Sequence, residues 1–183
     1  METKPIPKVR RCRWVYRVWQ FVTRLCVRRS AIDWALVRNV LPGLALSWFD
    51  ALSLGDQLHS LCVLRALRQQ GDITADLEQA ALLHDVGKAG GGLTLAHRAV
   101  IVLLRALHPV WLDMLTTNDP TSWRYPFYIH RHHAELGARR CAEAGCSSLT
   151  VWLVRHHEGP LPDSVEPTWS EALAVLRRAD DIC

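Results

Sequence analysis

Apolar side chains recur at intervals of three and four residues along nearly every segment of this chain of 183 residues. Spacing of this kind lines one face of an α-helix, whereas a half-buried strand would alternate apolar and polar residues. No segment of the sequence shows a convincing alternation, so the expected fold class is all-α. The predicted helices cover 13–28, 56–69, 74–84, 93–107, 133–144, 149–157 and 170–180.

Basic residues are concentrated at the start of the chain. Residues 1–40 contain ten Lys and Arg against two acidic side chains, a net charge of +8, although the whole chain carries only +4. The pair Pro42-Gly43 then interrupts the helical pattern. We therefore expect a basic, Trp- and Arg-rich amphipathic helical arm over 1–43, followed by one domain over 44–183. The arm either binds an anionic partner, such as a membrane surface, a nucleic acid or an acidic protein face, or docks as a solvated helix on its own domain.

The cysteines and the apolar runs bear on the cellular compartment. None of the six cysteines forms a Cys-x-x-Cys pair, and arginines interrupt each apolar stretch near the start. The longest uncharged run, 39–49, is shorter than the roughly 20 residues that a membrane-spanning helix needs. We predict a cytoplasmic protein with reduced thiols, most of them buried, and with no signal peptide or transmembrane segment.

Residues 81–92 read ALLHDVGKAGGG and place His84 and Asp85 side by side at the end of a predicted helix. Consecutive helical residues point about 100° apart, but in the last turn both can flank a metal ion. The carboxylate can then bridge to a second ion, and two ions about 3.5–4 Å apart clamp a phosphoryl group and activate water. Lys88 follows closely and can meet phosphate oxygens as a point charge. The stretch therefore predicts a metal or phosphate site.

Histidines and acidic residues also cluster at other predicted helix ends. A lone histidine on an apolar face is usually a core residue, but several such clusters in one small domain favour a metal site. Neutral imidazole together with carboxylate suits Fe, Mn, Zn or Mg in a hydrolytic or redox role, rather than a structural thiolate site. The clusters are His59, His84-Asp85, His130 with His132 and His133, His156-His157, and Asp180-Asp181.

Four ordered segments and one upstream histidine carry a family resemblance over about 44–183. AALLHDVGK stands downstream of a histidine in DQLHSLCVLRAL, and HHAELGARRCAEAG, VWLVRHHEG and VLRRADDI follow in order. Together they resemble the HD-domain phosphohydrolase superfamily, in the subgroup with HD-[IV]-G-K. The later segments resemble its H-P-E-[LI]-G-A helix, its [IV]-x-x-H-H-E segment and its closing helix with an A-D pair. The resemblance implies an HD-type helical bundle.

The resemblance also implies a role for each matching residue. Asp85 would bridge two ions, and Lys88 would meet the substrate phosphate or a bridging water, so both are candidate catalytic residues. The implied cofactor is one or two divalent ions, Fe or Mn first, with Mg, Zn, Ni or Co as further candidates. The implied metal ligands are His59, His84, Asp85 and Asp180, joined in binuclear members by His133 and His156 or His157.

The implied activity is hydrolysis of a small phosphate mono- or diester, nucleotide-like or other, by metal-activated water. After His157-Glu158 the chain lacks the D-G-x-G-Y-P stretch of cyclic-di-GMP phosphodiesterases, and it lacks the H-T-T-G usual in diadenosine-tetraphosphate hydrolases. Arg124, Arg131 and His132 are candidate substrate contacts beside Lys88, with a solvated surface side chain as the alternative for each. The alternative function is a non-catalytic module that keeps the HD fold to sense a ligand and signals through the basic arm.

Overall fold

The computed structural model describes residues 32–71, 73–107, 109–162 and 164–183. Within these ranges the chain forms α-helices and one short 3₁₀ helix, Val86–Lys88, and contains no strand, which confirms the all-α prediction. The predicted arm helix over 13–28 lies outside the described residues. The α-helices are α1 Trp34–Val40, α2 Gly43–Asp50, α3 Leu54–Arg68, α4 Ala75–Leu83, α5 Leu95–Leu107, α6 Pro109–Leu115, α7 Tyr125–Glu143, α8 Ser148–His156 and α9 Pro167–Ile182.

Short polar side chains begin three of the helices that surround the site. Ser53, Thr74 and Ser147 each accept a hydrogen bond from a backbone N–H in the first turn of α3, α4 and α8. A cap of this kind stabilises a helix by about 1 kcal/mol. α9 begins instead with Pro167, whose missing N–H costs little in a first turn. These starts lie close to those predicted from the sequence.

α6 and α7 differ from the prediction, and α1 and α2 are not among the predicted helices. α7 begins at Tyr125 rather than at 133, because Pro126 suits a first turn and the apolar residues Phe127 and Ile129 are buried. Residues 125–132, which lie outside every predicted helix, therefore form the first part of the longest described helix. α6 begins at Pro109, directly after the predicted end of the preceding helix. Proline ends one helix but fits the first position of the next.

One main core joins α1 to α4 and α7 to α9, and the described end of the predicted arm belongs to it. Ile101 of α5 and Leu112 of α6 pack instead in a smaller cluster with Phe127. Val37 and Val40 of α1 are buried with Leu41, and α1 packs on α4. α4 also packs against α3, α8 and α9, and α9 packs against α3 and α8. Full burial of one leucine side chain contributes about 1.5–3 kcal/mol. The fully buried leucines of these helices include Leu61, Leu64, Leu82, Leu153 and Leu176.

Two glycines allow the 3₁₀ helix to lie directly on α7. A Cβ at Gly87 would overlap the backbone carbonyl of His133. A Cβ at Gly137 would lie only 3.1 Å from Val154 and 3.2 Å from the backbone nitrogen of Gly87. Since Asp85 immediately precedes the 3₁₀ helix and His133 lies on α7, this close packing brings their side chains together.

A disulfide joins Cys62 of α3 to Cys183, with 5.9 Å between the Cα atoms. The expectation of reduced thiols is wrong for this pair. Cys141 and Cys146 are free thiols, the first buried and the second half-buried. None of the helices in the described ranges combines the length and the apolar character needed to cross a membrane.

Candidate metal centre

Three side chains from three helices form the first ligand group, which consists of His59, His84 and Asp180. His59 lies in α3, His84 directly follows α4 as its C-cap, and Asp180 lies in the last turn of α9. The Nε2 atom of His59 is 2.7 Å from Oδ1 of Asp180, and Nε2 of His84 is 3.7 Å from the same oxygen. One ligand atom from each residue lies within 4.8 Å of the others, close enough to share a metal ion.

A second ligand group lies beside the first and consists of Asp85, His133 and His157, all buried. Oδ1 of Asp85 is 3.4 Å from Nε2 of His133 and 3.9 Å from Nε2 of His157. The two imidazole nitrogens are 3.2 Å apart. Asp85 also links the two groups, because its Oδ2 lies 3.7 Å from Nε2 of His84. This position suits the bridging role that the sequence resemblance implies for Asp85.

Backbone carbonyls orient three of the four histidines in the same way. The Nδ1–H of His84 donates to the carbonyl of Ala81 at 3.0 Å. In the same manner, the Nδ1–H groups of His133 and His157 donate to carbonyls three residues earlier, each at 2.7 Å. Such second bonds fix the tautomer of a metal-binding imidazole. They leave Nε2 as the lone-pair nitrogen on the side of each ring that faces the carboxylates.

The Nε2 atom of His84 has no hydrogen-bond partner, although it is buried. The carboxylate oxygens of Asp85 and Asp180 each lie 3.7 Å away, beyond hydrogen-bonding distance. A buried polar atom without a partner costs free energy, typically about 1–3 kcal/mol. A divalent ion at the first ligand group would satisfy this nitrogen, so the residues present fit a metal.

The ammonium of Lys88 keeps the carboxyl of Asp85 ionised. Its Nζ lies 2.6 Å from Oδ1 of Asp85, and both side chains are largely buried. Burial alone would raise the pKa of the Asp85 carboxyl, but the Lys88 ammonium and the neighbouring His84 hold the pKa well below its usual range. Burial alone would lower the pKa of Lys88, but Asp85 and Asp56 outweigh it and raise that pKa. The carboxylate and the ammonium are therefore both charged near neutral pH.

Three further ligands, His84, His157 and Asp180, favour the forms that bind cations. Burial lowers the pKa of His84, and burial together with the neighbouring His84 lowers the pKa of His157 to about 4. Against the opposing effect of burial, the imidazoles of His59 and His84 lower the pKa of Asp180 to about 2. Neutral imidazoles and ionised carboxylates are the protonation states that metal ligation requires.

Two arginines that the sequence analysis missed fix the backbone around the site. Arg140 of α7 donates to the carbonyl of Val86 at 2.6 Å, while its guanidinium lies 4.5 Å from the ring centre of Trp48. Arg177 of α9 donates to the carbonyl of His157 at 3.1 Å and to that of Gly159 at 2.8 Å. The ARRCAE and VLRRADD segments contain these arginines, but the sequence carries no signal that pairs them with distant carbonyls.

Besides Lys88, four predicted site residues lie outside both ligand groups. His156 is half-buried against the ring of Trp152, at 4.7 Å between centroids, so His157 alone represents the histidine pair in the second group. His132 is exposed and packs on Tyr128 at 4.4 Å.

Both arginines proposed as phosphate contacts bind protein groups instead. Arg124 donates to the carbonyls of Met114 and Leu115, at 2.5 and 2.9 Å, and so caps the end of α6. The guanidinium of Arg131 pairs with the carboxylate of Asp113 at 3.1 Å. Each arginine thus has a structural role on the α6 side of α7, and the structure gives neither a contact with the ligand groups.

Comparisons of the chain with protein-family models, with curated proteins and with solved structures give no match.

Proposed function

We propose that the protein is a metal-dependent phosphohydrolase of the HD type that acts on a small, nucleotide-like or other phosphorylated substrate. The observation that carries the proposal is the pair of adjacent ligand groups, one of His59, His84 and Asp180 and the other of Asp85, His133 and His157. Consecutive residues, His84 and Asp85, supply one member to each group. Six residues from five separate parts of the chain converge on this site, which is difficult to explain by packing alone.

The donors suggest the kind of ion and the number of ions. Imidazole nitrogens and carboxylate oxygens without thiolates suit Fe, Mn, Zn and related divalent ions. Two groups with Asp85 between them support two ions rather than one. Divalent ions at such a site supply Lewis-acid activation of water and stabilise charge on phosphoryl oxygens.

Lys88 completes the arrangement expected for phosphate chemistry. Its ammonium pairs with Asp85 through one contact at 2.6 Å, and an ammonium carries three N–H donors. The other two donors can meet phosphoryl oxygens and offset the charge that develops on them. Lys88 therefore orients the substrate and stabilises the reaction, whereas the histidines hold the ions.

The adjacent histidines provide a matched pair of variants for the test. The purified protein, loaded with Mn²⁺, is screened against a panel of phosphate mono- and diesters, and then compared with His157→Ala and His156→Ala. We expect turnover of at least one ester by the wild type and by His156→Ala, and a loss of about 100-fold or more in His157→Ala, since a missing ligand disrupts metal binding. Equal activity of the two variants would contradict the assignment.

The alternative, an HD-fold module that senses a ligand without turnover, is an outcome of the same experiment. Metal binding without hydrolysis of any ester would favour it over the enzyme. Absence of both metal and turnover would overturn the proposed function. The anionic partner of the arm stays a prediction, since residues 1–31 lie outside the described ranges. The cytoplasmic location also stays a prediction.

A further inference from the structure

A cavity of about 380 Å³ lies beside Lys88, on the side of the site formed by the start of α3, the loop 90–92 and the start of α5. Its polar lining comes from Ser53, Asp56, Lys88, Thr94 and Arg98, together with the backbone of the three consecutive glycines. Lys88 connects the cavity to the ligand groups, because it lines the cavity and its Nζ contacts Asp85 of the second ligand group. A molecule held against Lys88 would thus have room to extend from the ligand groups into the cavity.

Asp56 is the polar group best placed to recognise a ligand there. It is buried, and its carboxylate is fixed by Arg98 through two bonds of 3.1 and 2.7 Å and by the hydroxyl of Ser53 at 2.6 Å. A carboxylate offers about four lone-pair sites. Three of these sites are occupied by the bonds from Ser53 and Arg98, two on Oδ2 and one on Oδ1. The Oδ1 atom can therefore accept one further hydrogen bond.

The charges around the cavity decide what kind of group it suits. Lys88 and Arg98 are cations, but each is paired with a carboxylate, Asp85 and Asp56 respectively. These two ion pairs leave no net positive charge in the cavity, so the cavity does not suit a phosphate group in addition to the one at the ligand groups. The hydroxyls of Ser53 and Thr94 are already hydrogen-bonded to Asp56 and His97. The remaining acceptor position on Asp56 instead suits a neutral group that carries a hydroxyl of its own.

We propose that this cavity binds the hydroxyl-bearing alcohol portion of a phosphate ester, with Asp56 accepting a hydrogen bond from one substrate hydroxyl. The substrate class is a phosphorylated polyol, such as a sugar phosphate or the sugar of a nucleotide. The inference rests on the proposed function. Hydrolysis joins a water oxygen to phosphorus and breaks the bond from phosphorus to the ester oxygen, which leaves with a proton as the free alcohol. The cavity therefore holds the leaving alcohol.

Three probe substrates test the inference on the Mn²⁺-loaded wild-type protein. Glycerol 3-phosphate and propyl phosphate differ in the hydroxyls of the alcohol, and phenyl phosphate serves as the reference ester. We expect kcat/KM for glycerol 3-phosphate to exceed that for propyl phosphate by about 10- to 100-fold, the range of a hydrogen bond to a charged acceptor.

Variants then assign the preference to Asp56. Asp56→Asn should bring the ratio of the two kcat/KM values close to one, while Asp113→Asn, in another Asp–Arg pair outside the cavity, should leave it unchanged. If Asp56→Asn fails to fold, Arg98→Lys replaces it, because a lysine cannot hold both carboxylate oxygens and should also lower the ratio. A folded variant that retains the full ratio would overturn the role of Asp56.

The wild-type results separate the two proposals. If no ester is hydrolysed, the proposed function fails and the cavity proposal fails with it. If phenyl phosphate is hydrolysed but glycerol 3-phosphate and propyl phosphate react with equal kcat/KM, only the cavity proposal is overturned.

Discussion

At the scale of single residues, Lys88 distinguishes phosphate chemistry from metal binding alone. Its ammonium contacts Asp85 but belongs to neither ligand group. We expect Lys88→Met to retain Mn²⁺, since the ions would take over the charge balance of Asp85, and to lose roughly 100-fold in kcat/KM for phosphate esters. Metal analysis and steady-state kinetics measure the two effects. Arg131→Met is the control, because Arg131 pairs with Asp113 instead. An unchanged rate in Lys88→Met would contradict the assigned role.

The buried histidines predict how stability depends on pH after the metal has been removed by a chelator. In the unfolded chain His84 and His157 take up protons near pH 6.5, whereas burial keeps them neutral in the folded protein, with the pKa of His157 at about 4. The unfolded state therefore binds more protons in this window, and the free energy of unfolding falls as the pH decreases from 6.5 towards 4.

The pH effect is large enough to measure by urea unfolding. His157 contributes a loss of about 3 kcal/mol at pH 4, by the relation between pKa shift and free energy. Asp180, whose pKa is lowered to about 2, adds a further loss only below its ordinary pKa near 4. The variant His157→Leu should lose less stability between pH 6.5 and 4 than the wild type. An equal loss in both proteins would show that His157 is not held neutral.

At the scale of elements, the contact between the 3₁₀ helix and α7 depends on Gly87. A Cβ at this position would overlap the carbonyl of His133, a backbone atom that cannot swing aside. We expect Gly87→Ala to lower the free energy of unfolding by about 2 kcal/mol or more and to weaken metal binding. Gly55→Ala in α3 is the matched control, since its Cβ would meet only Ser53 Oγ at 3.9 Å. Similar unfolding midpoints for the two variants would contradict the packing argument.

The disulfide ties together the two helices that carry His59 and Asp180. Cys62 follows His59 by one turn of α3, and Cys183 follows Asp180 closely at the end of α9. We expect dithiothreitol to lower the free energy of unfolding by about 2–5 kcal/mol, and to weaken metal binding at the first ligand group. In Cys62→Ser the reductant should have no further effect. Full stability and metal affinity of the reduced wild type would refute this role.

Local signals predicted most of the helices in the second part of the chain, but they missed α1, α2 and α6 and did not predict the contacts between helices. The cap at Thr74 and the breaks at Gly71 and Gly145 depend on nearby residues, and they can be identified in the sequence. The start of α7 was missed because burial of Phe127, a tertiary effect, extends the helix ahead of the predicted start at 133. The sequence also did not show which of His156 and His157 joins the second ligand group, because that depends on how α8 packs.

At the scale of the whole molecule, the site exists only when distant parts of the chain are folded together. His59 and Asp180 are in contact although α3 and α9 lie far apart in sequence, and Arg98 reaches Asp56 from a different helix. The family resemblance identified the candidate ligands from the sequence, whereas the cavity beside Lys88 could be identified only in the folded structure. Since an unfolded chain cannot assemble these ligands, metal binding should stabilise the folded protein.

This coupling predicts a thermal shift. Mn²⁺ at 100 times its dissociation constant should add about 2.7 kcal/mol to the free energy of unfolding. We therefore expect Tm to rise by several degrees with Mn²⁺ in the wild type and in His156→Ala, and to rise less in His157→Ala. Calorimetry of each protein with chelator and with Mn²⁺ measures the shift. The same shift in His157→Ala as in the wild type would count against the second ligand group.

The most direct test of the central claim is the number of metal ions bound per chain. Elemental analysis of the Mn²⁺-loaded protein, after removal of free ions, should give about two ions per chain if Asp85 links two occupied sites. His157→Ala should fall to about one or fewer because the second group loses a ligand, and His156→Ala should match the wild type. A wild-type protein that binds no divalent ion under these conditions would contradict the account.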